Sequence, residues 1–178
     1  MNSQQTETIK ENPMKQIKLE KVVLSCGATG QNVEKSKKLL ELLSNGRKIK
    51  VVKADSKRRI PNFGVKPGIE LGTMVTIRGK EASEVLKKLL GAIDNFLSEE
   101  QIAENGFSFG IHEYIEIPGA EYKREIGIRG LNVTVVFIRP GVRVRRKKAK
   151  RGKTPERHHV QPEEIIKYMK ENFETEVE

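Results

Sequence analysis

Hydrophobic residues recur along this chain at two spacings, and the switches between them divide it into strands and helices. Ile17, Leu19, Val22, Val23 and Leu24 form a strand pattern running to Ser25, which ends in the turn residues Gly27, Ala28, Thr29 and Gly30. Ser36, Leu39, Leu40 and Leu43 then recur at helical spacing, predicting a helix over 33–44 that Asn32 caps and Asn45-Gly46 stops. A second strand, Lys48 to Lys53, sets Ile49 and Val51 against Lys48, Lys50 and Val52 on the other face. In the third, Thr73 to Gly79, Val75 and Ile77 point to the core while Met74, Thr76 and Arg78 share the opposite surface.

The longest apolar stripe, Ala82, Val85, Leu86, Leu89, Leu90, Ile93, Phe96 and Leu97, keeps helical offsets throughout and predicts a helix covering a sheet. Strands follow at Gly106–Ile111, with Phe107, Phe109 and Ile111 on one face, and more briefly at Tyr114–Ile117. In a last long strand Leu131, Val133, Val135 and Phe137 alternate with Asn132, Thr134, Val136 and Ile138, delivering the chain to the turn Arg139-Pro140-Gly141. Pro162 opens a closing helix over 162–173 whose Ile165, Ile166, Met169 and Phe173 are buried, with Glu163 and Glu164 complementing its dipole. The succession predicts an α+β fold: a mostly antiparallel sheet with helices packed on one face, the other face open, and long basic loops. Residues 1–13 read as a flexible polar tail, and 14–178 as a single domain.

Charge changes the picture more by position than by total. The 178 residues carry a formal net charge of +10, and no acid stands between Glu125 and Glu156. Arg129, Arg139, Arg143, Arg145, Arg146, Lys147, Lys148, Lys150, Arg151 and Lys153 supply ten positive charges there. Without those ten, 24 Lys and Arg balance 24 Asp and Glu, so the net charge resides in this one stretch. A second cationic segment lies around the loop 54–72, where Arg47, Lys48, Lys50, Lys53, Lys57, Arg58, Arg59 and Lys66 face only Asp55 and Glu70. Such a balance favours a polyanionic partner, and nucleic acid before a membrane.

Catalytic signals are weak by comparison. The turn Gly27-Ala28-Thr29-Gly30 lacks the spacing of a dinucleotide fingerprint or a P-loop. His158 and His159 stand far from any cysteine and His112 is isolated, so no metal and no cofactor are expected; the histidines read as solvated or phosphate-contacting. Cys26, the single cysteine, reads as a buried small hydrophobe in a reducing cytoplasm. No apolar run approaches the roughly 18 residues of a membrane span, and a soluble, unexported protein is expected. Phe107 and Phe109 share a face with Ile111 and are expected in the core, which leaves recognition to phosphates and nucleic-acid shape.

Several segments in order resemble one family: Leu19-Glu20-Lys21-Val22-Val23-Leu24 before Cys26-Gly27, Val75-Thr76-Ile77-Arg78-Gly79, Phe107-Ser108-Phe109-Gly110-Ile111, Ile128 to Thr134, and Arg139-Pro140-Gly141. The chain is similar to large-subunit ribosomal protein five, the 5S rRNA-binding protein of the central protuberance, in its archaeal and eukaryotic form. The resemblance implies an open sheet face that binds 5S rRNA through Ser25, Arg47, Thr76 and Arg78, with Lys48 and Lys50 nearby. Ser25 and Arg47 replace the Asn and Gln of the bacterial pattern, and both keep a hydrogen-bond donor. It further implies contact with P-site tRNA through Lys57, Arg58, Arg59, Phe63 and Lys66. Further RNA contacts are expected from Arg139, Arg143, Arg145, Arg146, Lys147, Lys148, Lys150, Arg151 and Lys153 in the basic loop 140–157. Large-subunit rRNA, neighbouring central-protuberance proteins and the small subunit across an intersubunit bridge are implied as partners. The expected role is a non-catalytic structural protein of the large ribosomal subunit in the cytoplasm. A phosphate-handling enzyme using the 27–30 turn and a general basic nucleic-acid chaperone are the alternatives.

Overall fold

The computed structural model describes residues 12–55, 57 and 59–178. Along the chain lie β1 (Lys18–Gly27), α1 (Gln31–Leu43), β2 (Lys50–Lys53), β3 (Glu70–Ile77), α2 (Lys80–Gly91), β4 (Phe96–Leu97), β5 (Ile102–Ala103) and β6 (Gly106–Ile111). They are followed by β7 (Leu131–Ile138), a single helical turn α3 (Arg143–Arg146), α4 (Pro162–Phe173) and β8 (Glu176–Val177). Six strands form one sheet in the order β2-β3-β1-β7-β6-β5, with every neighbouring pair antiparallel. The architecture is the α+β one expected, while the expected tail falls almost wholly outside the described residues, which begin at Asn12.

Period-two alternation places Val22, Leu24 and Cys26 of β1, Val75 and Ile77 of β3, and Leu131, Val133, Val135 and Phe137 of β7 on one side of this sheet. Leu39 and Leu40 of α1, Leu86, Leu89 and Leu90 of α2, and Ile165 and Met169 of α4 belong to the same continuous core. Each such side chain contributes about 1.5–3 kcal/mol when fully buried. Phe107 and Phe109 are core residues as expected: the Phe107 ring lies 6.0 Å from those of Phe109 and Phe137. Cys26 is also buried, and desolvation pushes its thiol up to about 11 against the pull of Arg129, so it stays an unreactive thiol at neutral pH.

Four local expectations are corrected. α1 begins at Gln31 after Gly30, whose φ of 61° lets the strand turn directly into the helix, so Asn32 lies inside the helix and does not cap it. α2 ends at Gly91 because Asp94 and Asn95 adopt left-handed φ values of 52° and 58°; Phe96 and Leu97 leave the stripe and pair with β8 instead. Tyr114–Glu116 is a 3-10 turn, not a strand, which sends Tyr114 and Ile117, three residues apart, into the core. Finally, β3 begins at Glu70, so the loop expected to reach Gly72 is shorter, and it is closed twice. Ala54 N–H donates to the Ile69 carbonyl at 2.7 Å, and Ile60 and Val65 exchange backbone bonds at 3.0 and 3.1 Å around a tip containing Pro61–Phe63.

Candidate nucleic-acid interface

All three long helices pack on one side of the sheet, and strand register decides what the other side carries. Lys50 of β2 stands opposite Met74, Met74 opposite Ser25, Ser25 opposite Asn132, and Asn132 opposite Gly110. A second row joins Thr76, Val23, Thr134 and Ser108, and a third sets Lys21 opposite Val136. With strands about 4.8 Å apart, the five-strand row spans roughly 19 Å. The surface is broad, nearly flat, and composed of hydroxyls, an amide and amines. At its end Ser25, Gly27, Gly110, His112, Gly130 and Asn132 line an open cleft of about 230 Å³.

Of the residues expected to hold RNA here, Ser25, Lys50 and Thr76 are brought onto this one face. Arg78 follows directly after β3, close enough to Glu20 for its charge to act on that carboxyl. Lys48 is exposed just ahead of β2. Arg47 is drawn elsewhere: its guanidinium donates to Glu81 in the first turn of α2, with Nε at 3.1 Å. Asn132, Thr134 and Ser108 were missed as site residues although their alternation was visible; only the pairing of β1 with β7 and of β7 with β6 sets them beside Ser25 and Thr76.

The two basic loops are each closed by bonds of their own. At the tip of the β2–β3 loop Phe63 is 78% exposed, and Lys57, Arg59 and Lys66 are exposed around it; Arg58 lies outside the described residues. The second loop, or arm, is pinched at its base where His158 Nε2 donates to the Pro140 carbonyl (2.9 Å) and Arg139 Nη1 donates to the Arg157 carbonyl (3.3 Å). Farther out, Gly152 N–H returns to the Val144 carbonyl at 3.2 Å. Arg143, Arg145, Arg146, Lys147, Lys148, Lys150, Arg151 and Lys153 are exposed along it.

Arg139 departs from the expectation of an RNA contact. Its side chain is only 10% exposed, and Nη2 donates to both Glu164 oxygens at 2.5 Å, fastening the end of β7 to the first turn of α4. His158 and His159 likewise bond within the protein, His159 to Glu104 at 3.3 Å, so they are not the solvated or phosphate-contacting side chains expected.

Glu20 is the site residue with no sequence precursor. β1 carries an extra residue between Leu19, opposite Phe137, and Lys21, opposite Val136. Glu20 occupies that bulge and forms a 2.6 Å ion pair with Arg146 of the arm. Burial by itself would raise its carboxyl; the hydrogen bond and charge of Arg146, with the charges of Lys21 and Arg78, outweigh burial and hold it below the usual carboxylate range.

A broad polar and cationic sheet face, backed by a helix layer and flanked by two basic loops, defines a class of protein that lies against an extended polyanion rather than enclosing a small ligand. Residues 70–161 match the C-terminal region of the ribosomal protein uL5 family. The chain is 43% identical over 164 residues to large ribosomal subunit protein uL5 of Nanoarchaeum equitans, covering 92% of this chain and 96% of that protein. It is 40% identical to the uL5 of Sulfurisphaera tokodaii, covering 95% of each, and 36% identical to that of Methanococcoides burtonii, covering 94% and 99%. The chain belongs to the ribosomal protein uL5 family.

Proposed function

We propose that this protein is a non-catalytic component of the large ribosomal subunit in the cytoplasm, and that its open sheet face binds 5S rRNA in the central protuberance. The observation that carries the reading is the register that gathers Lys50, Ser25 and Asn132 in one row and Thr76, Thr134 and Ser108 in the next, with Arg78 at the margin. Hydroxyls and amides there bond phosphate and ribose oxygens, while Lys50 and Arg78 supply charge. Residues 14–178 act as one RNA-binding unit. The exposed arm adds phosphate contacts from Arg143, Arg145, Arg146, Lys147, Lys148, Lys150, Arg151 and Lys153, and Arg139 serves the fold instead. The hairpin tip with Lys57, Arg59, Phe63 and Lys66, together with Arg58, reaches P-site tRNA: Phe63 offers a ring for stacking, and the cations meet the backbone.

Titrating 5S rRNA across a salt series tests the reading. Neutralising about seven phosphates gives a slope of log K against log salt of roughly −5 to −6. A slope near zero, or no preference for 5S rRNA over an unrelated RNA of equal length, would overturn it.

A further inference from the structure

The feature that RNA binding leaves unexplained is a buried acid at the edge of a cationic surface. The Glu20 side chain is 8% exposed, one oxygen is taken by Arg146, and the other, Oε2, is buried without a hydrogen-bond partner among the described residues. An acid in such a place weakens attraction for any polyanion, and burying it is costly unless it is paired. Its partner belongs to neither β1 nor the sheet: Arg146 ends the single helical turn of the arm, far along the chain, and is itself half exposed.

Resting on the reading of the sheet face as an RNA surface, we propose that Glu20 is a positioning residue for that surface: from the β1 bulge it docks the Arg143–Arg146 turn beside Lys21 and Arg78. The arm and the sheet face then form one continuous cationic surface before RNA arrives. Without the dock, the arm is held only at its pinched base, and each binding event must order its long side chains afresh. Glu20 touches no RNA in this scheme; it acts through Arg146.

The sign of a single substitution separates this from simple electrostatics. Glu20→Gln makes the protein more positive, so charge alone predicts tighter binding to every RNA. Docking predicts the reverse for 5S rRNA: affinity falls roughly three- to tenfold, while binding to polyuridine holds or rises. In the free protein, amide hydrogen exchange across 143–152 speeds up in Glu20→Gln and equally in Arg146→Ala. In a double-mutant cycle, Glu20→Gln costs nothing further once Arg146 is Ala. Unchanged exchange, or 5S rRNA bound as tightly by Glu20→Gln as by the parent, would overturn the inference. Should Glu20→Gln fail to fold, the exchange of the arm in Arg146→Ala decides it. If Arg78→Ala also leaves 5S binding intact, the RNA-binding reading itself fails; if Arg78→Ala weakens binding and Glu20→Gln does not, only the docking role falls.

Discussion

The two faces of the six-stranded sheet are made by the same strands, residue by alternate residue, and they differ in almost everything else. On β1, Val22, Leu24 and Cys26 go under the helices while Lys21, Val23 and Ser25 face away; on β7, Val133 and Val135 are buried and Asn132 and Thr134 exposed. The covered face is held by close packing, in which a lost methylene is felt as a cavity. The open face makes few internal bonds, so its side chains are free to serve a partner without weakening the fold. Stability and recognition are thereby assigned to opposite phases of one alternation.

The largest effect that would break this division is expected on the covered face. Phe137 is fully buried and meets Tyr168 edge-on at 5.4 Å, so Phe137→Ala costs about 3–5 kcal/mol in a denaturant titration. The remaining folded protein should bind 5S rRNA with its original affinity; a binding loss in the folded fraction would mean that the faces are coupled. Arg78→Ala sharpens the other half of the comparison. Loss of one charge-assisted contact, about 1.5–3 kcal/mol, weakens 5S binding roughly ten- to hundredfold, while the denaturation midpoint stays put. A shifted midpoint with unchanged affinity would make Arg78 a structural residue. The smallest effect belongs to the hairpin tip: Phe63→Ala removes a stacking ring at about 1–3 kcal/mol of tRNA contact at most. Crosslinking to P-site tRNA should fall with 5S affinity unchanged, and equal losses on both RNAs would end the separation of loop from face.

The two basic loops repeat the lesson on a smaller scale. The β2–β3 loop is carried rigidly, since two strands and the Ala54–Ile69 and Ile60–Val65 closures fix its course. The arm depends on side chains: Arg139 with Arg157 and His158 with Pro140 at its base, and Glu20 with Arg146 at its outer turn. Sequence shows both as runs of Lys and Arg, yet the charges are not equivalent. Arg139 and Arg47 are committed to Glu164 and Glu81, whereas most of the lysines and arginines along the arm stand exposed.

What was legible in the chain was whatever depends on neighbouring residues. Alternation in Leu131–Ile138 and Gly106–Ile111 marked strands whose bounds the structure reproduces, and it separated buried from exposed positions on each. The apolar stripe from Ala82 identified α2 and overran only where Asp94 and Asn95 turned left-handed, a backbone choice to which hydrophobic spacing is blind. Period and propensity are local, so sequence alone determined the strands, the helices, their buried sides and the place of the net charge. Partners are not local. Which strands adjoin, that every long helix covers the same side, that Asn132 and Thr134 stand beside Ser25 and Thr76, and that Arg146 crosses to Glu20 were decided only by the tertiary structure. Each of these depends on register and chain path bringing together residues far apart in sequence, where the energy of burial and pairing, not the pattern of any one segment, selects the neighbour.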